Sequence, residues 1–129
     1  MNQVHPSSPS LSLLMTTKEF PHQPPELDEG NREYKLKLTQ NHKIQKIATQ
    51  LRFRLYEGEG KALYLIGVSD DGKSLGLHLD ILQESIEYLK QACDILTKDS
   101  VKIDKIRIYP GKNPDFYIAT IRISGIISV

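Results

Sequence analysis

Apolar residues recur along this chain with two different periods, and each period predicts a different kind of element. Over residues 43–56 they fall at i, i+3, i+4, i+7 and i+11, the spacing of a stripe along one side of an α-helix: Ile44, Ile47, Ala48, Leu51 and Leu55. A second stripe, extending to about Thr97, is formed by Leu82, Ile86, Leu89, Cys93 and Leu96. Two amphipathic helices are therefore predicted, and Asp80 with Gln83 is a candidate capping box for the second.

Five shorter segments either alternate apolar and polar residues or form brief apolar runs, as strands do: 31–40, 61–68, 73–80, 105–109 and 116–124. In the first segment the alternation predicts a buried face made of Tyr34, Leu36 and Leu38. The turn residues Asp70-Asp71-Gly72 between the second and third segments predict a hairpin, and the Pro- and Gly-containing residues 110–114 predict the last turn. The predicted order is β-α-β-β-α-β-β, an α+β fold in which two helices cover a mostly antiparallel sheet.

Residues 1–25 show neither period and contain five of the seven prolines, together with Ser, Thr, Gln and His. Such a segment buries too little apolar surface to offset the entropy of ordering its backbone, so a disordered tail is predicted. Residues 26–129 are long enough to form a single domain with its own core.

The composition limits the classes of partner. Seventeen Lys and Arg balance sixteen Asp and Glu to a net charge of +1, so the overall charge points to neither a nucleic acid, DNA included, nor a membrane, and any electrostatic site must be local. The apolar run at Leu11 to Met15 is too short for a signal peptide or a membrane span. The single cysteine, Cys93, lies in a helical stripe and cannot form an internal disulfide. A cytoplasmic protein with no membrane partner is expected.

Residues 67–74, GVSDDGKS, fit the pattern G-x-x-x-x-G-K-[ST] of phosphate-binding loops. In such a loop a helix follows the lysine and directs its N-terminus at the phosphates. Here the alternation continues beyond Ser74, and the carboxylates of Asp70 and Asp71 would repel a polyanion. The sequence therefore predicts a turn of a hairpin at this position instead of a nucleotide site.

The first predicted strand and helix form the most basic part of the chain, with Phe53 beside them as a candidate stacking residue. Cations on such a surface can dock RNA phosphates without reading bases, although an ordinary solvated helix face has the same composition. The candidate RNA-binding residues are Lys35, Lys37, Lys43, Lys46, Arg52 and Arg54. Of these, Lys46 and Arg54 are expected to lie off the apolar stripe of the helix.

Three longer segments resemble the N-terminal region of the elongation-factor-like GTPases of the GTP-binding protein 1 and 2 family: PPELDEGNREYKLKL, IATQLRFRLYEGEGKALYLIGVSDDGKSLGL and ILQESIEYLKQA. The resemblance covers about residues 24–97, and its most specific part is the run from Glu29 to Leu38. Residues 98–123 agree only in their pattern of apolar positions.

This resemblance implies a role beside a translational GTPase, with GTP and magnesium held by a separate downstream domain and with RNA or ribosomes as partners. The present sequence has no phosphate loop leading into a helix and no N-K-x-D motif, so neither GTPase activity nor a cofactor is expected of these residues. The expected function is that of a noncatalytic accessory domain that contacts RNA, the ribosome or protein. A docking platform along an exposed sheet edge is a further alternative.

A second resemblance, to the AlbA-like domain of Schlafen-type proteins, is carried by EYK at residues 33–35 and by LYLIGVSDDGKSLGL at residues 63–77. It implies an AlbA-like fold. Ser69 stands where that family often has an aspartate.

In the nuclease members of that family, acidic residues of the two motifs hold a divalent metal that cleaves RNA. The resemblance implies Asp28 or Glu29, Glu33 and Asp70 as metal ligands and Lys35 as the residue that stabilises charge on the phosphate. Carboxylates are the ligands that hard divalent cations prefer, and a metal held by them can polarise a phosphodiester. The alternative function is therefore a divergent metal-dependent ribonuclease with Glu33, Lys35 and Asp70 as its catalytic residues.

Overall fold

The computed structural model describes residues 11–39 and 42–126. In chain order these residues form a one-turn helix α1 (Leu11–Leu14), strand β1 (Arg32–Lys35), helix α2 (Ile44–Glu57), strand β2 (Lys61–Ile66), helix α3 (Leu79–Ile95), a 3₁₀ turn (Thr97–Asp99), strand β3 (Lys102–Pro110) and strand β4 (Tyr117–Ser124). The two predicted amphipathic helices and the first, second, fourth and fifth predicted strands are thereby confirmed.

The four strands form one sheet in the order β1-β2-β4-β3. Helix α2 returns the chain to the end at which β1 began, so β1 and β2 pair in parallel. The other two pairs, β2 with β4 and β4 with β3, are antiparallel. The predicted α+β class with a mostly antiparallel sheet is confirmed.

Helices α2 and α3 pack against each other and against one face of this sheet, which we call the helix face. The stripes predicted from the sequence meet the inward residues of the strands there, and the following residues are fully buried: Leu51, Leu55, Tyr64, Leu82, Leu89 and Ile121. The opposite face, which we call the open face, carries a smaller apolar cluster around Tyr34, Leu65 and Ile118. No helix within the described part of the chain is long and apolar enough to cross a bilayer.

The third predicted strand, residues 73–80, is not formed. The chain does reverse at Asp70-Asp71, because the Ser69 N–H donates to the Lys73 carbonyl at 3.0 Å and the Gly76 N–H donates to the Gly67 carbonyl at 2.8 Å. Gly76 has a φ of 76°, a left-handed conformation that breaks the pleat of a strand. After it, Leu77 makes only an isolated bridge to Tyr117 and the helix begins at once.

Helix α3 begins without the predicted capping box. Its N-cap is His78, and no side chain caps the first turn. Asp80 Oδ1 instead accepts a hydrogen bond at 2.9 Å from the neighbouring Ile81 N–H. The capping prediction was wrong because the helix starts at Leu79, which places Asp80 inside the first turn and not before it.

The predicted tail, residues 1–25, extends over three parts of the chain. Residues 1–10 lie outside the described residues, and Leu11–Leu14 form α1. Residues 15–26, which we call the N-terminal segment, cross the open face and pack on it. The Thr16 N–H donates to the Ile108 carbonyl at 2.9 Å, and the Glu26 N–H donates to the Asp70 carbonyl at 2.7 Å. Phe20 is 9% exposed, so this part of the predicted tail belongs to the folded domain.

Candidate nucleic-acid interface

The open face owes its composition to strand alternation. Each strand directs every second residue to the helices and the intervening residues to the other side. In β3 and β4 the inward residues are isoleucines and alanine, whereas the outward ones include Lys105, Arg107 and Arg122. The sequence thus places an apolar surface and a cationic surface on the same two strands.

The register brings these outward cations together across the sheet. One row runs across all four strands and contains three cations: Arg32, Leu63, Arg122 and Lys105. The adjacent row contains Tyr34, Leu65, Thr120 and Arg107. Residues opposite each other on neighbouring strands have Cβ atoms only about 5 Å apart, so Lys105 and Arg122 are held close together.

The N-terminal segment borders this surface. The ring of Phe20 meets the ring of Tyr109 edge-on at a centroid distance of 5.2 Å. The Arg32 guanidinium donates to Gln23 Oε1 at 3.1 Å, which fixes one end of the cationic row. Together the segment and the strands enclose a cavity of about 270 Å³.

The cavity contains cations without anions. Four cationic side chains line it, and within the described part of the chain none of its lining residues is acidic: Phe20, Pro21, Gln23, Arg32, Leu63, Leu65, Lys105, Arg107, Tyr109, Thr120 and Arg122. Among residues 11–39 and 42–126, Lys105, Arg107 and Arg122 form no ion pair with a carboxylate. This surface can therefore attract an anion from outside the protein.

The candidate cations on β1 and α2 are less concentrated. Lys37, Lys43 and Lys46 are exposed. Lys35 is partly buried, with its Nζ 3.6 Å from Glu33 Oε2, and Arg52 Nε lies 3.3 Å from Asp99 Oδ2. Two of these candidates are thus paired with carboxylates of the protein itself.

Phe53, the candidate stacking residue, is 45% exposed on α2. It lines a shallow surface hollow together with Gln45, Lys46, Thr49 and Gln50. Lys46 is the one cation in that lining. This hollow offers an aromatic ring to a ligand but little positive charge.

Arg54 is not on the surface, contrary to the expectation that it lies off the apolar stripe of its helix. Its side chain is 4% exposed, and its Nε donates to Glu33 Oε1 at 2.8 Å. Its two terminal nitrogens donate to the carbonyls of Gly30 and Leu27 at 2.8 and 2.9 Å. Arg54 therefore joins α2 to β1 and the loop before it, and it is not available to an RNA backbone.

The residues of the metal-site hypothesis lie in different environments. Glu33 is buried between the cations Arg54 and Lys35, whereas Asp28 and Asp70 are exposed. No group of three or more His, Cys, Asp or Glu residues in the described part of the chain is arranged to hold a metal ion. Both oxygens of Glu33 contact cations of the protein itself.

Glu26, which the sequence analysis did not single out, lies near these carboxylates. Its side chain accepts a hydrogen bond from the Tyr34 N–H. Partial burial raises the pKa of Glu26, that hydrogen bond opposes the rise, and the nearby charges of Glu33 and Asp70 add to it. This carboxyl fastens the end of the N-terminal segment to β1.

The GVSDDGKS segment forms a turn, several of whose hydrogen-bond donors have acceptors within the turn itself. The side chain of Asp71 accepts hydrogen bonds from the Ser69 hydroxyl and, at 3.2 Å, from the Lys73 N–H. The hydrogen bond from the Ser69 hydroxyl, and to a smaller extent the one from the Lys73 amide, lowers the pKa of Asp71. The backbone does not enter a helix at Lys73, because α3 begins only at Leu79. The Ser69 hydroxyl and the Lys73 amide are thus directed at an aspartate, and the Ser69 and Gly72 amides donate to carbonyls of the turn, which agrees with the turn predicted from the sequence.

Sequence reasoning missed the cations of the open face. The signal was present in KIRIY at residues 105–109 and in TIRIS at residues 120–124, where cations alternate with isoleucines. These segments were interpreted only as strands. Which outward residues would be neighbours depends on the strand order, and alternation alone does not supply it.

Fold and turn together define the class: an α+β domain whose phosphate-loop-like segment is a turn stabilised by an aspartate. In a comparison with known proteins, the chain is similar to a GTP-binding protein. The chain is 38% identical to GTP-binding protein 2 of Mus musculus and of Homo sapiens over 81 residues. That match covers 61% of this chain but only 14% of each relative, so the chain corresponds to a small part of those proteins.

A further relative is an uncharacterized protein of Acanthamoeba polyphaga mimivirus. It is 30% identical over 111 residues, which is 84% of this chain and 60% of that protein. No protein-family model and no solved structure matches the chain. The resemblance to GTP-binding protein 2 is thus supported in part, and the AlbA-like resemblance stays a prediction.

Proposed function

We propose that this chain is a noncatalytic accessory domain of an elongation-factor-like GTP-binding protein, acting in the cytoplasm through contacts with RNA or the ribosome. The observation that carries the proposal is the 38% identity to GTP-binding protein 2 over 81 residues. Any GTP and magnesium would be bound by a different domain of such a factor, since the GVSDDGKS segment directs its donors at Asp71.

RNA contact is supported by charge, not by the similarity. The overall charge of +1 conceals a local excess of cations on the open face and on α2. Phosphate contacts from such residues provide affinity that is independent of sequence and that falls as salt increases. The domain would thus hold RNA near a GTPase domain without reading its bases.

The experiment measures the binding of the whole chain to a fluorescein-labelled single-stranded RNA by fluorescence anisotropy at several salt concentrations. A fluorescent GTP analogue provides a second arm. We expect salt-dependent RNA binding and no saturable binding of the GTP analogue. Saturable GTP binding, or no RNA binding at the lowest salt, would contradict the proposal.

The same samples test the ribonuclease alternative. Incubation of the labelled RNA with magnesium or manganese should leave its length unchanged. Metal-dependent cleavage that is lost in both Glu33→Gln and Asp70→Asn would replace the accessory-domain proposal by the enzymatic one. Circular dichroism of the Glu33→Gln variant is needed alongside, because Glu33 is buried against Arg54.

A further inference from the structure

We infer that the open face, and not the predicted surface on β1 and α2, is the RNA-binding site, and that it takes single-stranded RNA by its phosphates. The inference rests on the proposed function insofar as that function includes RNA contact. The site consists of Arg32, Lys105, Arg107 and Arg122, bordered by the N-terminal segment.

The charge arrangement is the first argument. Lys105 lies directly opposite Arg122, and like charges in this position destabilise a sheet. Arg107 lies two residues along the same strand from Lys105, at about 7 Å. None of these three cations forms an ion pair with a carboxylate in the described part of the chain, and Asp104, next to Lys105 in sequence, accepts a hydrogen bond from the Ser124 hydroxyl instead. A bound polyanion would relieve the repulsion, so ligand binding and sheet stability are coupled here.

The length of the row gives the second argument. Arg32 and Lys105 are separated by three strand spacings, about 14 Å. One small anion contacts at most part of such a row, whereas a chain of phosphates can contact all of it. Guanidinium groups suit this ligand because their planar fork matches phosphate oxygens in pairs. The three arginines of the site therefore favour a polyphosphate backbone over an isolated anion.

The border of the site gives the third argument. The N-terminal segment crosses the open face and leaves a cavity of about 270 Å³, a volume too small to enclose a double helix. Tyr109 and Phe20 form an edge-to-face pair at its margin. Phe20 is only 9% exposed, so of this pair it is the partly exposed Tyr109 that offers a ring beside the cations for base stacking. These features select a single strand.

The test compares two pairs of substitutions that each remove two positive charges. Arg107→Ser with Arg122→Ser changes the open face, and Lys43→Ser with Lys46→Ser changes α2. Binding of a fluorescein-labelled oligouridine to each whole chain is followed by anisotropy against salt concentration. We expect the open-face pair to weaken binding by roughly tenfold or more and to reduce the magnitude of the salt slope by about 1.4. The α2 pair should change either quantity much less.

A third variant separates loss of the site from loss of the fold. Thr120 is half-buried in the cavity and lies opposite Arg107, so Thr120→Glu places a carboxylate among the cations. We expect a protein at least as resistant to heat as the natural one, because repulsion is relieved, but with RNA binding reduced by a similar factor. A Thr120→Gln variant, which has the same shape without the charge, should bind RNA nearly as well as the natural protein.

The outcomes distinguish this inference from the proposed function. If the natural chain binds RNA and the α2 pair loses that binding while the open-face pair retains it, the inference is overturned and the proposed function stands. If the natural chain binds no RNA, the RNA part of the proposed function fails as well. Equal binding of a polyglutamate peptide, or tighter binding of duplex RNA than of oligouridine, would also overturn the inference.

Discussion

The two faces of the sheet differ in whether their cationic side chains are paired with carboxylates. On the helix face, Arg54 is buried and each of its three side-chain nitrogens donates to an acceptor, with the carboxylate of Glu33 at 2.8 Å. On the open face, Lys105, Arg107 and Arg122 have no carboxylate partner in the described part of the chain. Arg54 reaches the helix face from α2, whereas the other three cations belong to β3 and β4 themselves.

The difference follows from what each environment allows. A charge shielded from water must be neutralised within the fold, because its desolvation otherwise costs several kcal/mol, on the order estimated for buried ions. A charge at the surface remains solvated and can exchange water for an external anion. An arginine of the helix face is therefore structural, whereas an arginine of the open face is available for binding.

The largest effect on stability is expected from breaking the ion pair between Arg54 and Glu33. Arg54→Met keeps the length of the side chain but leaves Glu33 buried without its main partner. Removing one member of a buried pair costs about 3–5 kcal/mol. We expect a loss of that size in the free energy of unfolding, measured by urea denaturation at neutral pH.

The matched control removes both charges. Arg54→Met combined with Glu33→Leu leaves no isolated carboxylate, so at least half of the lost stability should return. An equal loss in the single and double variants would mean that the cost comes from the hydrogen bonds to Gly30 and Leu27 and not from the stranded charge.

A smaller effect is expected from two adjacent residues of β4 that face opposite ways. Ile121 is fully buried under the helices, and Arg122 is exposed on the other side. Ile121→Ala should cost about 2–5 kcal/mol through lost burial and a cavity. Arg122→Ala should change stability by no more than about 0.5 kcal/mol, because surface substitutions are usually small and repulsion with Lys105 is reduced.

Thermal and urea unfolding of the two variants under identical conditions measure this contrast directly. Comparable losses in both would show that Arg122 supports the fold, and it would then be a poor probe of RNA binding. A loss confined to Ile121→Ala supports the separation of the two faces.

Local periodicity was sufficient to predict the helices. The stripe from Ile44 to Leu55 predicted α2 to within one residue at each end, because a buried helix face repeats at a fixed spacing that neighbours do not alter. The same stripe also places residue 54 on the buried side, three positions after Leu51. The expectation that Arg54 lies off the stripe was wrong, and the local sequence contains no sign of its buried partner, Glu33, which is 21 residues away.

Strands were predicted less completely because their burial depends on distant partners. Leu36 fits the alternation of the first strand but is 41% exposed, while Glu33 is buried in its ion pair. The segment from Lys73 to Leu77 alternates well but has no strand beside it to pair with, apart from the bridge to Tyr117. Alternation shows which side a residue would face but not whether a neighbouring strand is present.

The open-face site needed information that only the folded chain contains. Its cations come from β1, β3 and β4, and they become neighbours through the order β1-β2-β4-β3. Its border comes from residues 15–25, whose proline-rich composition predicted a tail. That segment packs on the sheet because the ring of Phe20 contacts the ring of Tyr109. In addition, the backbone of Gln23 lies so close to Gly72, which has a φ of 90°, that a Cβ at this position would collide with it.

The smallest effect concerns a single hydroxyl on the helix face. Tyr64 is fully buried in β2, and its hydroxyl is the one buried side-chain polar atom in the described part of the chain that has no hydrogen-bond partner. Burial, with the negative charge of Glu33 adding to it, raises the pKa of the Tyr64 phenol well above its usual range, so the group stays neutral but unsatisfied.

Tyr64→Phe removes that hydroxyl and keeps the ring, so we expect the free energy of unfolding to increase by about 1 kcal/mol. Tyr56→Phe serves as the control, because Tyr56 is 54% exposed on α2 and its hydroxyl group is open to water. Its stability should remain within about 0.5 kcal/mol of the natural protein. A loss of stability in Tyr64→Phe would mean that the hydroxyl has a hydrogen-bond partner in solution, such as an internal water. The helix face would then contain no uncompensated polar group at this position.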